Sequence, residues 1–248
     1  MPKTSSGAMN SEVPAGLPLR WRVFANEEAL IDAARGMIAT TAAEAIARRG
    51  AFRIVLAGGR TPQRLYRSLR SLATDWTAWH VYFGDERCLP MGDVERNDAM
   101  ADEAWLACVG IPPRQVYRIP VELGAVEAAR AYSGTVAAVD RFDLVLLGLG
   151  EDGHAASLFP RDETGFAPAA PAAVAVHDAP KPPSARVSLS AARLACAERV
   201  VFLVVGEGKR EAVARWFTGE LIPAARIAAT HQEVWLDRAA APGEKNGP

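Results

Sequence analysis

Cysteine, histidine and long apolar runs are all scarce in this chain, and each scarcity narrows the function. The three cysteines, Cys88, Cys108 and Cys196, are an odd number, widely spaced and without a C-x-x-C pair. That argues against a disulfide framework and fits a reducing compartment. The four histidines, His80, His154, His177 and His231, stand without metal-ligand spacing, and no cysteine lies near enough to complete a zinc motif. No metal is expected. No stretch approaches the roughly 18 continuous apolar residues that mark a membrane span, and residues 1–20 lack the apolar core of a signal peptide. The expectation is a cytoplasmic protein with a short leader over 1–20. Neither sign of charge is in excess, since 28 Lys and Arg stand against 29 Asp and Glu. No global positive field draws nucleic acid or a membrane surface, so any anion site must be local.

What is present is an alternation of short apolar runs with longer amphipathic ones. Strands are predicted at WRVF from Trp21, at Phe52–Ala57, His80–Phe83, Val116–Ile119, Phe142–Gly148 and Arg199–Val205. Several are apolar at nearly every position, as strands covered on both faces are. Helix-length stretches lie between them at Glu27–Arg49, Pro62–Leu72, Asn97–Val109, Ala125–Val139 and Lys209–Phe217. This order predicts an α/β fold, a mostly parallel Rossmann-like sheet with helices on both faces, in a single domain over 21–238 with a flexible tail at 239–248. The Ala- and Pro-rich stretch Phe166–Ser184 breaks the rhythm and reads as a long loop beside a ligand site.

Five segments carry chemistry. In Leu56-Ala57-Gly58-Gly59-Arg60-Thr61-Pro62, a strand meets two glycines and a helix start, with Thr61 suited to the N-cap and Pro62 to the first helical position. Unpaired N–H groups there suit a phosphate, although an ordinary strand-to-helix turn has the same pattern. In Phe83-Gly84-Asp85-Glu86-Arg87, three charges follow a strand, where open parallel sheets bind ligands. A solvated ion pair is the plainer reading. The run from Asp143 to His154 contains a formal G-x-G-x-x-G at Gly148, Gly150 and Gly153. The context is wrong for a dinucleotide fingerprint, because the glycines lead to His154 and Ser157-Leu158-Phe159-Pro160 instead of a second βαβ strand. A histidine held at a strand end by tight turns faces the cleft, whereas a lone buried histidine is more often just hydrogen-bonded. Arg186 in Lys181-Pro182-Pro183-Ser184-Ala185-Arg186 and Lys209 in Gly206-Glu207-Gly208-Lys209-Arg210 add positive charge. A lysine opening a helix opposes the helix dipole unless it serves an anion.

Taken together, AGGRTPQRLY, FGDERCLP, Asn97 and Met100 of ERNDAM, DLVLLGLGEDGHAASLFP, PKPPSARVSLS and GEGKR resemble the 6-phosphogluconolactonase family, in that order. The resemblance runs from about Trp21 to Asp237 and implies hydrolysis of 6-phosphogluconolactone on a fold shared with the glucosamine-6-phosphate deaminases. It implies that His154 is the general base, with Asp152 and Asp85 orienting it or binding sugar hydroxyls. It further implies a phosphate and sugar site at Gly58, Gly59, Arg60, Thr61, Arg87, Asn97, Arg186 and Lys209, and an oxyanion near the N–H groups of Gly150 and Gly153. No cofactor is implied. The partner is a small phosphorylated lactone, and the assembly a monomer or small homo-oligomer. Two rivals remain: an isomerising deaminase, whose Asn-Glu-Pro carboxylate is replaced here by SLFP, and a non-catalytic sugar-phosphate sensor.

Overall fold

A computed structural model describes residues 19–243. In chain order the elements are β1 (Leu19–Phe24), α1 (Glu27–Arg49), β2 (Phe52–Leu56), α2 (Arg60–Leu69), β3 (Trp79–Phe83), β4 (Asp85–Arg87), α3 (Asn97–Ala104), β5 (Val116–Tyr117), α4 (Ala125–Ala137), β6 (Phe142–Leu147), β7 (Ala173–Val176), β8 (Arg186–Leu189), α5 (Ala191–Ala195), β9 (Ala197–Val204), α6 (Arg210–Phe217) and β10 (Gln232–Asp237). Seven strands form one parallel sheet in the order β1-β10-β9-β6-β2-β3-β5, and β4, β8 and β7 form a small antiparallel sheet. The α/β architecture read from the alternation of elements is the one observed.

Local chemistry sets the element limits. Asn26 caps α1 by accepting from the Ala29 N–H at 2.9 Å, Glu27 and Glu28 sit at its positive end, Arg48 and Arg49 at its negative end, and Gly50 stops it at φ 73°. Its buried residues Leu30, Ala34, Ile38, Ala42 and Ala45 recur at about one turn and face the sheet. β6 is buried at all six positions, as a central parallel strand should be. Beside it Phe52, Trp76, Trp79 and Trp105 pack at centroid separations of 4.7 to 5.7 Å. Full burial, as for Phe52, Trp79 and Trp105, contributes about 1.5 to 3 kcal/mol for each side chain.

Several expectations are corrected. β1 begins at Leu19, inside the expected leader, because residues 19–24 pair along β10. The rest of that leader, residues 1–18, and residues 244–248 of the expected tail lie outside the described residues. The strand expected over Val116–Ile119 is only two residues long, and the helix expected to reach Val109 ends at Ala104. Phe166–Ser184 is not one loop: β7 lies within it, paired to β8 and covering α4. The charged run of FGDER is itself strand β4. β10 has no counterpart among the expected strands. Among the described residues, no helix is long and apolar enough to cross a membrane.

Candidate functional site

The carboxyl ends of β9, β6, β2 and β3 are consecutive in the sheet. After β2 the chain adds β3 on one side, and after β6 it adds β9 on the other, so the winding reverses between β2 and β6. Ligands of open α/β sheets bind at such a reversal. The segments Gly58–Thr61 and Gly148–His154 leave the sheet at that point, flanked by Gly84–Arg87 and Gly206–Lys209.

Two buried tyrosines hold the strand ends. The Tyr66 hydroxyl accepts from the Ala57 N–H at 3.0 Å and donates to the Ala57 carbonyl at 2.9 Å. The Tyr132 hydroxyl does the same at Phe83, at 2.9 and 3.0 Å. Each satisfies a backbone pair where the ladder ends, and burial pushes both phenols far above their usual pKa, so they remain neutral.

At the first turn the helix start differs from expectation. α2 begins at Arg60 with Gly59, at φ 103°, in the cap position. Thr61 therefore lies inside the helix, where its hydroxyl donates to Glu27 Oε1 at 3.1 Å instead of capping. The N–H groups of Arg60 and Thr61 belong to the first helical turn and have no intrahelical acceptor, and Pro62 has no N–H to offer. They remain suited to an anion.

His154 sits in a tight frame. Its Nδ1 is 2.5 Å from Asp152 Oδ1, which also accepts the His154 backbone N–H at 3.1 Å. Burial raises the Asp152 carboxyl, but the hydrogen bonds and charge of His154 outweigh it and hold the group at about 2. An ionised carboxylate has no proton to give, so Nδ1 must donate, and in the neutral imidazole the lone pair is left on Nε2. A Cβ on Gly150 would lie 2.1 Å from His154 Nδ1 and 2.6 Å from Asp152 Oδ1, so only glycine permits this pair. The Phe159 ring packs against the imidazole, centroids 4.6 Å apart.

Of the N–H groups expected to face an oxyanion around Gly150 and Gly153, those of the two glycines themselves are already engaged. Gly150 N–H donates to the His154 carbonyl at 2.8 Å and Gly153 N–H to the Gly150 carbonyl at 3.0 Å. Both groups close the turn that carries His154. Gly153 serves by its φ of 91° and by lying against Ile222, where a Cβ would come within 2.9 Å.

Asp85 does not orient His154 directly. Its Oδ2 accepts from Ser157 Oγ at 2.6 Å and its Oδ1 from Asn97 Nδ2 at 3.2 Å. Asn97 is accordingly turned toward Asp85, with Gly58 against its amide. Glu86, the middle charge of the FGDER segment, is almost fully buried and accepts the N–H groups of Arg87, Asn97 and Asp98, each at 2.8 Å.

The cations gather in two groups. Arg87 and Arg186 lie directly opposite each other in the β4–β8 register. Like charges so placed repel unless an anion lies between them. Arg186 is buried, donates to the Pro183 carbonyl at 3.2 Å and the Lys181 carbonyl at 2.9 Å, and lies 5.7 Å from the Phe159 centroid. Arg87 donates to the Glu95 carbonyl at 2.8 Å. In the second group burial lowers the Lys209 ammonium, Glu151 and Asp152 oppose that, and the like charges of Lys181 and Arg60 add to it. Lys181 is thus a further cation of the site. Among the described residues, none of Arg60, Arg87, Lys181, Arg186 and Lys209 forms a salt bridge. Ser157 and Phe159 stand inside the motif around His154, Tyr66 closes AGGRTPQRLY and Glu86 is one of the three charges of FGDER, although the sequence assigned no individual role to any of them; nothing in the sequence marks Tyr132.

Residues 25–236 match the family described as glucosamine-6-phosphate isomerases/6-phosphogluconolactonase. A 6-phosphogluconolactonase of Streptomyces coelicolor is 36% identical over 88% of this chain and 92% of its own length. One from Synechocystis is 34% identical over 86% and 93%. The crystal structure of the 6-phosphogluconolactonase from Thermotoga maritima, 27% identical, superposes with a TM-score of 0.81 over 88% of this chain and 99% of its own.

Proposed function

Because the chain belongs to the glucosamine-6-phosphate isomerase/6-phosphogluconolactonase family, we propose that it hydrolyses 6-phospho-D-glucono-1,5-lactone to 6-phosphogluconate, a step of the oxidative pentose phosphate pathway. The observation that carries this reading is the Asp152–His154 pair, which leaves Nε2 as a free base at the switch point of the sheet.

Nε2 takes a proton from water as the water oxygen attacks the lactone carbonyl carbon. The tetrahedral intermediate collapses by breaking the bond from that carbon to the ring oxygen, and the imidazolium returns the proton to the departing oxygen. Asp152 keeps the imidazole in the required tautomer and offsets the imidazolium charge when it forms. The substrate phosphate lies among the N–H groups of the Gly58–Thr61 turn, Lys209 and Arg186, where a fork-shaped guanidinium and a point charge read it together. The unpaired state of these cations supports that assignment, as does the facing pair Arg87 and Arg186.

The deaminase reading needs a carboxylate after the DGH turn. Phe159 packs on His154 in that stretch, and the only carboxylate bonded to the imidazole among the described residues is Asp152. The test is a lactonase assay with freshly generated 6-phosphogluconolactone, corrected for spontaneous hydrolysis, beside glucosamine 6-phosphate. Hydrolysis well above background with no ammonia release from the amino sugar is expected. Ammonia release without lactone hydrolysis would overturn the assignment.

A further inference from the structure

Ser157 lies three residues beyond His154, is completely buried, and spends its hydroxyl on Asp85 Oδ2 at 2.6 Å. From Asp85 the contacts continue without a gap. Asn97 Nδ2 donates to Asp85 Oδ1 at 3.2 Å and to the Asp85 carbonyl at 2.9 Å. The far side of the same amide fills the space beside Gly58, where a Cβ would come within 2.0 Å of Asn97 Oδ1. On the other side, Ser157 N–H donates to Ser188 Oγ at 3.3 Å, and Ser188 is the cross-strand partner of Asp85. Three segments distant in sequence, β4, the start of α3 and the loop after His154, are thereby tied by polar contacts between side chains that are each nine-tenths buried or more, and the Gly58 turn packs directly against the Asn97 amide.

We propose that Ser157 is a positioning residue: acting through Asp85 and Asn97, it fixes the distance between the His154 turn and the Gly58 turn that anchors the substrate phosphate. The inference rests on the phosphate reading above. A substrate held at one end by its phosphate is presented to Nε2 at a spacing set by the protein, and misplacement of reacting groups by about 1 Å can cost on the order of a hundredfold. Ser157 and Asp85 touch neither Nε2 nor its carboxylate partner, so the base itself does not depend on them. Glu86 binds the α3 N–H groups separately and holds that helix start if the Ser157 contact is cut.

The experiment compares 6-phosphogluconolactone with unphosphorylated glucono-1,5-lactone as substrates of wild type, Ser157→Ala, Asn97→Ala and the double variant. Ser157→Ala should lower kcat for the phosphorylated lactone by about tenfold to a hundredfold, while the loss on the unphosphorylated lactone is several-fold smaller. The affinity for 6-phosphogluconate as a competitive inhibitor should change little, because phosphate contacts are retained. A purely structural role would reduce the active fraction and depress both substrates alike, and that outcome overturns the proposal. Asn97→Ala should show the same selective loss, and the double variant no more than the larger single loss, since the two act as one unit. Additive losses overturn the proposal, and if Ser157→Ala does not fold, the selectivity of Asn97→Ala decides it. Lys209→Ala separates the two readings. If it leaves the preference for phosphate unchanged, the phosphate assignment fails. If it abolishes the preference while Ser157→Ala does not alter it, the positioning role alone fails.

Discussion

The two ends of the parallel sheet are both rich in charge but handle it in opposite ways. At the amino end, Asp143 of β6 is buried and receives the Arg49 guanidinium, the Arg53 N–H at 2.8 Å and Arg48 at 3.6 Å. Glu233 meets Arg199 at 3.7 Å and Arg22 at 4.0 Å, and Glu198 meets Arg141 at 3.9 Å. At the carboxyl end, Arg60, Lys181 and Lys209 form one group and the facing pair Arg87 and Arg186 another, and none of the five forms a salt bridge among the described residues. Paired charge is neutralised within the fold, whereas clustered unpaired charge is tolerable when an anionic ligand completes it. On the function proposed above, the difference separates an end that holds the sheet together from an end that binds substrate.

The sharpest way to break that division is at His154. His154→Asn retains a polar side chain but removes the base, so kcat should fall by about a hundredfold to ten-thousandfold over the spontaneous background, with inhibition by 6-phosphogluconate preserved. A folded variant with near wild-type turnover would remove His154 from the mechanism. Next in size, Arg186→Ala and Lys209→Ala each delete a charge-assisted contact of about 1.5 to 3 kcal/mol. KM for the phosphorylated lactone should rise accordingly, with the unphosphorylated one little affected, and steady-state kinetics on both lactones would reveal an equal loss if these residues do not read phosphate. At the other end of the sheet, Asp143→Asn should lower stability in denaturant titration by about 1 to 3 kcal/mol, its arginine partners being partly solvated. Its kcat and KM should stay at wild-type values. A catalytic defect there would show that the two ends are not independent.

Most of this division was legible in sequence where a motif coincided with a strand end. The order of apolar runs gave the parallel strands, and glycine followed by charge marked the Gly58, Asp85 and His154 segments. Roles within the segments were less legible, because they depend on which atoms are already engaged. Thr61 has a cap-forming side chain, but the helix starts two residues earlier than expected and Glu27, from α1, accepts its hydroxyl. The glycine N–H groups at 150 and 153 looked available and are used by the turn itself. Asp85 resembles a second partner of the histidine until Ser157, 72 positions away, takes one of its oxygens. The small sheet was missed because β4 is charged throughout and β7 is an Ala-Val stretch set among prolines, so neither shows the pattern of a central strand.

Glu86 gives a test, read in stability and not in turnover, of how the carboxyl end of the sheet is held. Its carboxyl accepts three backbone N–H groups that favour the charged form, but burial outweighs them, and the nearby Asp98 adds repulsion, so it is pushed up from 4.5 to about 7. Because its native pKa lies above the unfolded one, the folded protein binds the extra proton between about pH 4.5 and pH 7. Stability from this group therefore falls as pH rises through that window and is constant above it. Asp152 works in the opposite sense: held at about 2 against 3.8, it contributes stability above pH 3.8 that is lost on further acidification. His80, lowered by burial and then by Arg53, also opposes Glu86, since it resists protonation in the fold below its ordinary 6.5. The raw melting profile mixes all three, so the informative quantity is the difference between wild type and Glu86→Gln. Thermal melts from pH 4.5 to 8 should show wild type losing ground relative to Glu86→Gln up to about pH 7, with the difference level beyond. A difference that is flat across the range would mean that Glu86 is ionised throughout, and that its three N–H donors outweigh its burial.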